Sequence, residues 1–142
     1  MSKVTRRLFV LMLSVALVGT FAITATAGTK KISKPAKDSV YAAIIGGLKL
    51  VDAGKYGKWI NTYCHKDTCH NSNVKKAYKK YNLPALQKVS SHCLKGADTI
   101  HVTREKDKAD GGKKIFIKCK EGGMPRPFHL LKDGGKWYWT NV

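Results

Sequence analysis

TIHVTREKDKADGGKKIFIKC, residues 99–119, carries the change of period on which the architecture turns. Ile100 and Val102 alternate with His101 and Thr103, and Ile115, Ile117 and Cys119 alternate with Phe116 and Lys118. Alternation of this kind is the mark of strands with one buried face. Asp107 to Gly112 supplies the turn between the two runs. Pairing Lys106 with Lys113 sets Val102 against Ile117, Ile100 against Cys119 and His101 against Lys118.

Downstream, a loop at 121–127 leads into Phe128–Lys132, and Asp133-Gly134-Gly135-Lys136 reads as a hairpin turn into a closing strand, Trp137–Val142. A two-residue turn at Gly134-Gly135 sets Leu130 against Trp139 and Leu131 against Tyr138. Upstream the period is helical. Val40, Ile44, Leu48 and Val51 form one stripe, with Tyr41 and Ile45 beside it, and the pattern stops at Gly54. Gly46-Gly47 interrupts it, as a notch for close packing or as a kink. Trp59, Ile60 and Tyr63 mark a second short helix. Val74, Ala77, Tyr78 and Tyr81 mark a third, capped by Asn71 or Ser72. Asn82-Leu83-Pro84 ends that helix and starts a fourth, with Leu86, Val89 and Cys93 inward. Helices followed by an antiparallel meander make an α+β domain, its N-terminal helices packed on a curved sheet.

The first 27 residues set the compartment. Lys3, Arg6 and Arg7 precede an uncharged apolar run, Leu8–Val18, and Ala25-Thr26-Ala27 is a small-x-small cleavage signal. The run is shorter than the roughly 20 residues of a membrane span. Residues 1–27 are therefore expected to be a bacterial signal peptide, with the protein exported to the periplasm or beyond. Thr5-Arg6-Arg7-Leu8-Phe9 also fits the twin-arginine export pattern, beside the general secretory route. Residues 28–34 read as a mobile basic leader, and 35–142 as one domain.

All nine acids and 24 of the 27 basic residues lie after residue 27, a net charge of +15. Only Arg104 and Arg126 are arginines in that part. Lysine is a hydrated point charge without the bidentate fork of arginine. The balance thus points to anionic envelope polymer or lipid rather than to nucleic acid. Lys75, Lys76, Lys79 and Lys80 are the candidate contacts, against the plainer reading of a solvated helix face.

Four cysteines in a small exported domain read as two disulfides. Three pairings are open, with Cys64–Cys69 and Cys93–Cys119 favoured. Cys64-His65-Lys66-Asp67-Thr68-Cys69-His70 also looks like a c-type haem attachment site with a widened gap. Cys64 and Cys69 would carry thioethers, with His70 and Met124 as axial ligands. The spacing, the position after two helices and the strand-rich end of the chain favour a disulfide loop and no cofactor. A zinc site from the same cluster competes with oxidation of both thiols. No metal is expected.

Met124-Pro125-Arg126-Pro127-Phe128 running into a strand, then Gly134-Gly135-Lys136-Trp137 opening the last one, resemble the nuclear transport factor 2-like superfamily; Lys55-Tyr56-Gly57-Lys58-Trp59 after a long helix is a looser match. The resemblance implies a cystatin-like cone with a pocket between sheet and helices, and it transfers no catalytic residue. Trp59, Tyr63, His101, Phe128, His129, Trp137 and Trp139 are the candidate lining residues, with ordinary core packing as the alternative for the aromatics. An isomerase-type proton transfer needs a carboxylate inside such a cone. Asp52 alone comes close, since most of the other acids fall in turns or at element ends. The expected function is a non-enzymatic binding domain for a small ligand or an envelope protein.

Overall fold

A short strand, a helical half and four further strands succeed one another in the computed structural model, which describes residues 28–96 and 98–142. The expected signal peptide lies outside the described residues. The fold is α+β: helices packed on a five-stranded antiparallel sheet of order β1-β2-β3-β4-β5.

Helix α1, Val40–Asp52, begins where Ser39 Oγ accepts the Ala42 N–H at 3.2 Å. It ends at Gly54, whose φ of 67° reverses the chain. Val40, Ile44, Ile45, Leu48 and Val51 are buried, the face their spacing predicts. Gly46 and Gly47 are a notch. A Cβ on Gly47 would sit 2.7 Å from the Trp139 ring, and one on Gly46 would collide with the Tyr63 hydroxyl. Helix α2, Tyr56–Tyr63, buries Trp59 and Ile60.

Helix α3, Lys66–Cys69, is a single turn inside the first disulfide loop. From Ser72 to Cys93 the chain stays helical, so Asn82-Leu83-Pro84 does not separate two helices as the sequence suggests. Helix α4 spans Ser72–Ala77, a π-helical turn spans Tyr78–Asn82, and α5 spans Leu83–Cys93. Pro84 has no N–H for the carbonyl four residues back. The wide turn absorbs that loss, with the Leu83 N–H donating to the Tyr78 carbonyl. The extra residue also takes Tyr81 off the apolar stripe. Val74, Ala77 and Tyr78 are half-buried, whereas Tyr81 is 61% exposed.

The segment 28–34, read as a mobile leader, instead supplies strand β1, Lys30–Ser33, so the domain starts before Pro35. It pairs antiparallel with β2, Thr99–Asp107, in the register Lys30↔Val102 and Ile32↔Ile100. The backbone groups along the free edge of β2 need partners, and Ile32 packs against the core. Strand β3, Lys113–Ile117, pairs Val102 with Ile117 as expected, but Lys106 meets Lys114 because a bulge lies between Val102 and Arg104. Strands β4, Arg126–Asp133, and β5, Lys136–Asn141, hold Leu130↔Trp139 and Leu131↔Tyr138, the register the two-glycine turn predicts.

The core centres on Trp139, which is fully buried. Its ring meets Trp59 edge-on at 5.4 Å and Phe128 at 5.2 Å, and its Nε1 donates to the Ala43 carbonyl at 3.1 Å. The cysteines pair as favoured: Cys64–Cys69, and Cys93–Cys119, which ties the end of α5 to the segment just past β3.

Tyr41 on α1 donates its hydroxyl to the Glu105 carboxylate on β2. Burial, then that hydrogen bond and the Glu105 charge, push the Tyr41 hydroxyl up to about 12. A raised tyrosine pKa gives stability that is complete below the unfolded value and is lost as pH climbs to the folded one. Stability is therefore expected to fall between about pH 10 and about pH 12, where the unfolded chain ionises first. Denaturant titrations at about pH 9 and about pH 11 check this: Tyr41→Phe should lose less stability between them than the wild type, and an equal loss would refute the linkage.

Candidate functional site

Strand alternation places Phe128 and Trp139 on the helix-facing side of β4 and β5, where both are buried beside Leu86 of α5. At the end of these strands they floor a cleft of about 280 Å³ that Arg126, Pro127, His129, Asn141 and Val142 complete. Arg126 opens β4 opposite Ile117 and is half-buried. Among the described residues it has no carboxylate within ion-pairing distance, whereas Lys49, Lys66, Lys108, Lys113 and Lys118 each have one. Among the described residues no Asp or Glu side chain lines this cleft. His129 pairs with Lys114 on β3. Burial, then the charges of Lys114 and Lys108, lower its pKa, so its ring stays neutral to lower pH than an ordinary histidine. The cleft thus offers an apolar floor, one cationic fork and an uncharged imidazole.

The seven candidate lining residues do not share one pocket. Phe128, His129 and Trp139 come together in the cleft just described. Tyr63 and Trp137 line a second one of about 400 Å³, beside Ser39, Thr62 and the Gly134-Gly135 turn. Trp59 is sealed in the core between Tyr78 and Trp139. Its indole Nε1 is the buried side-chain donor without a hydrogen-bond partner among the described residues. His101 lies on β2, where its carbonyl accepts from the Lys118 N–H, and lines neither cleft. The cause is packing: Trp59 and Trp139 fill the space between helices and sheet, which divides the rest into surface clefts on different sides. Asp52 is exposed at the end of α1 and accepts from Ser90 Oγ at 2.9 Å.

In the Cys64–His70 segment the two sulfurs are bonded to each other, His70 is exposed with Nδ1 2.7 Å from the Asp67 carbonyl, and Met124 is 94% exposed. Among the described residues no three His, Cys, Asp or Glu side chains gather as a metal-holding group. The residue this segment uses structurally is His65, which sequence reasoning passed over. It is 4% exposed, its Nδ1 accepts the Asp67 N–H at 3.3 Å, and its Nε2 lies 3.4 Å from Asp133 Oδ2. Its backbone N–H donates to the Trp139 carbonyl at 2.9 Å, so the disulfide loop is stitched to β5. Lys66 first, and His65 to a smaller degree, hold the Asp133 carboxyl below its usual range. Lys75, Lys76, Lys79 and Lys80 are all exposed.

No family model, curated protein or solved structure matches this chain.

Proposed function

We propose that this chain is an exported, non-enzymatic binding domain of the cystatin-like cone type, which holds a small organic anion with an apolar body in the cleft beneath Arg126. The observation that carries the reading is half-buried Arg126, without a carboxylate partner among the described residues, lining the cleft whose floor is Phe128, Trp139 and Leu86. A half-buried guanidinium at the mouth of an apolar cleft is free to take an anionic ligand, and arginine matches a carboxylate bidentately. The volume of about 280 Å³ sits at the lower end of small-molecule sites, so the reading favours a substituted aromatic or short aliphatic acid. Among the described residues no Asp or Glu joins His129 in lining the cleft, which supports a binding rather than an acid–base role. The two disulfides accord with an oxidising compartment outside the cytoplasm.

Calorimetry with naphthoate and indole acetate, set against their uncharged amides, tests the reading. The acids should bind and the amides should not. Arg126→Gln should weaken acid binding about 10- to 100-fold, the worth of a charge-assisted hydrogen bond. Equal affinity for acid and amide, or an unchanged affinity in Arg126→Gln, would refute it.

A further inference from the structure

The face of α4 and the π turn presents Lys75, Lys76, Lys79 and Lys80, all exposed and none of them in an ion pair among the described residues. Exposed lysines alone are a solvated surface. What distinguishes this one is Tyr81. The π turn just before Pro84 takes this aromatic off the apolar stripe, and its ring is 61% exposed with the Lys80 ammonium 5.2 Å from its centre. An uninterrupted α-helix would have kept position 81 in register with Val74, Ala77 and Tyr78, facing the domain.

We infer that this face docks the protein on an anionic phospholipid surface, with Tyr81 seated among the headgroups and the four lysines over their phosphates. The occupant follows from complementarity. Tyrosine has an apolar ring and a polar tip and concentrates at the membrane–water boundary. Lysines without a bidentate fork suit a diffuse sheet of negative charge. A soluble polyanion would use the lysines and gain nothing from a ring aimed into an interface. No described helix is long and apolar enough to cross a membrane, so the contact is peripheral. This site is separate from the cleft beneath Arg126 and does not rest on it.

The test is partitioning on to phosphatidylglycerol–phosphatidylcholine vesicles at low salt, using protein purified from a secreting host with its processing checked by intact mass. Binding should appear with the anionic lipid and vanish on pure phosphatidylcholine. Replacing Lys75, Lys76, Lys79 and Lys80 together by serine should weaken it on the order of 100-fold, a discounted sum of the contributions of single surface lysines. Tyr81→Ser should weaken vesicle binding about five-fold while leaving affinity for soluble polyphosphate unchanged. All five positions are exposed or half-turned to solvent, and a thermal melt confirms that each variant folds. Absence of binding to anionic vesicles, or indifference to the lysine substitutions, would overturn the inference. So would a Tyr81→Ser variant that binds vesicles as the wild type does, which would hand the lysines to a soluble polyanion.

Discussion

Trp139→Ala is expected to lower the free energy of unfolding by about 3–5 kcal/mol, the usual cost of deleting a large aromatic side chain from a packed core. Trp139 is the side chain through which three elements meet: Trp59 of α2 and Phe128 of β4 pack on its faces and edges, and Ala43 of α1 receives its N–H. Gly47 exists to admit it. Gly47→Ala adds a methyl 2.7 Å from a ring that neighbours hold on several sides. Overpacking of about 1–3 kcal/mol should outweigh the roughly 1 kcal/mol that alanine gains in helix propensity. The two sites are therefore coupled. In a Trp139→Leu background the ring is gone, and Gly47→Ala should turn from destabilising to neutral or stabilising. Urea denaturation of the four proteins in the cycle measures this. A Gly47→Ala change with the same effect in both backgrounds would remove Trp139 as the reason for the glycine.

That contact also marks how far the sequence can be read. The glycine pair in α1 is visible as a break in an apolar stripe, and a notch there follows from it, but nothing local says which side chain fills the notch. Hairpin registers are legible where a turn dictates them, as at Gly134-Gly135, where Leu130↔Trp139 follows directly. Between β2 and β3 the same logic puts Val102 opposite Ile117 yet misplaces Lys106, because the bulge after Val102 has no glycine to announce it. Strand β1 is hidden for a different reason. One isoleucine among lysines shows no alternation, and its pairing depends on an edge that lies some seventy residues away. The π turn conforms to a warning the chain does give, a proline inside a helical run, but termination and a wide turn are equal answers to it until the packing of Leu83 and Leu86 chooses. For the cleft, Phe128, His129 and Trp139 are legible as strand residues. Arg126 is visible only as part of a loop motif, since its lack of a carboxylate partner is a property of three dimensions. His65 is obscured by the cysteine beside it, which draws attention to metal and haem chemistry rather than to a histidine closing a loop.

Removing the Cys93–Cys119 bridge is the second large effect. The bond joins the last residue of α5 to the segment just past β3, across 26 residues that include the α5–β2 connection and the whole β2–β3 hairpin. Chain-entropy arguments give roughly 3.5 kcal/mol for a loop of that length, within the usual 2–5 kcal/mol range for small secreted domains. The Cys64–Cys69 bridge spans only five residues and is worth roughly 2 kcal/mol on the same basis. The two differ in kind as well as size. Cys93 and Cys119 connect the helical layer to the sheet, so their loss frees one half of the fold from the other. Cys64 and Cys69 enclose α3, whose attachment to β5 through the His65 N–H and to the end of β4 through the Asp133 carboxylate persists without the bond. Alanine at both positions of each pair avoids leaving a buried hydroxyl unpaired. Cys93→Ala/Cys119→Ala should unfold at markedly lower denaturant than Cys64→Ala/Cys69→Ala. In native-state hydrogen exchange the first variant should lose protection across α5 and β3, and the second only around residues 64–70. Equal destabilisation by the two variants, or global loss of protection in the second, would mean that the short loop, and not the long bridge, holds helices and sheet together.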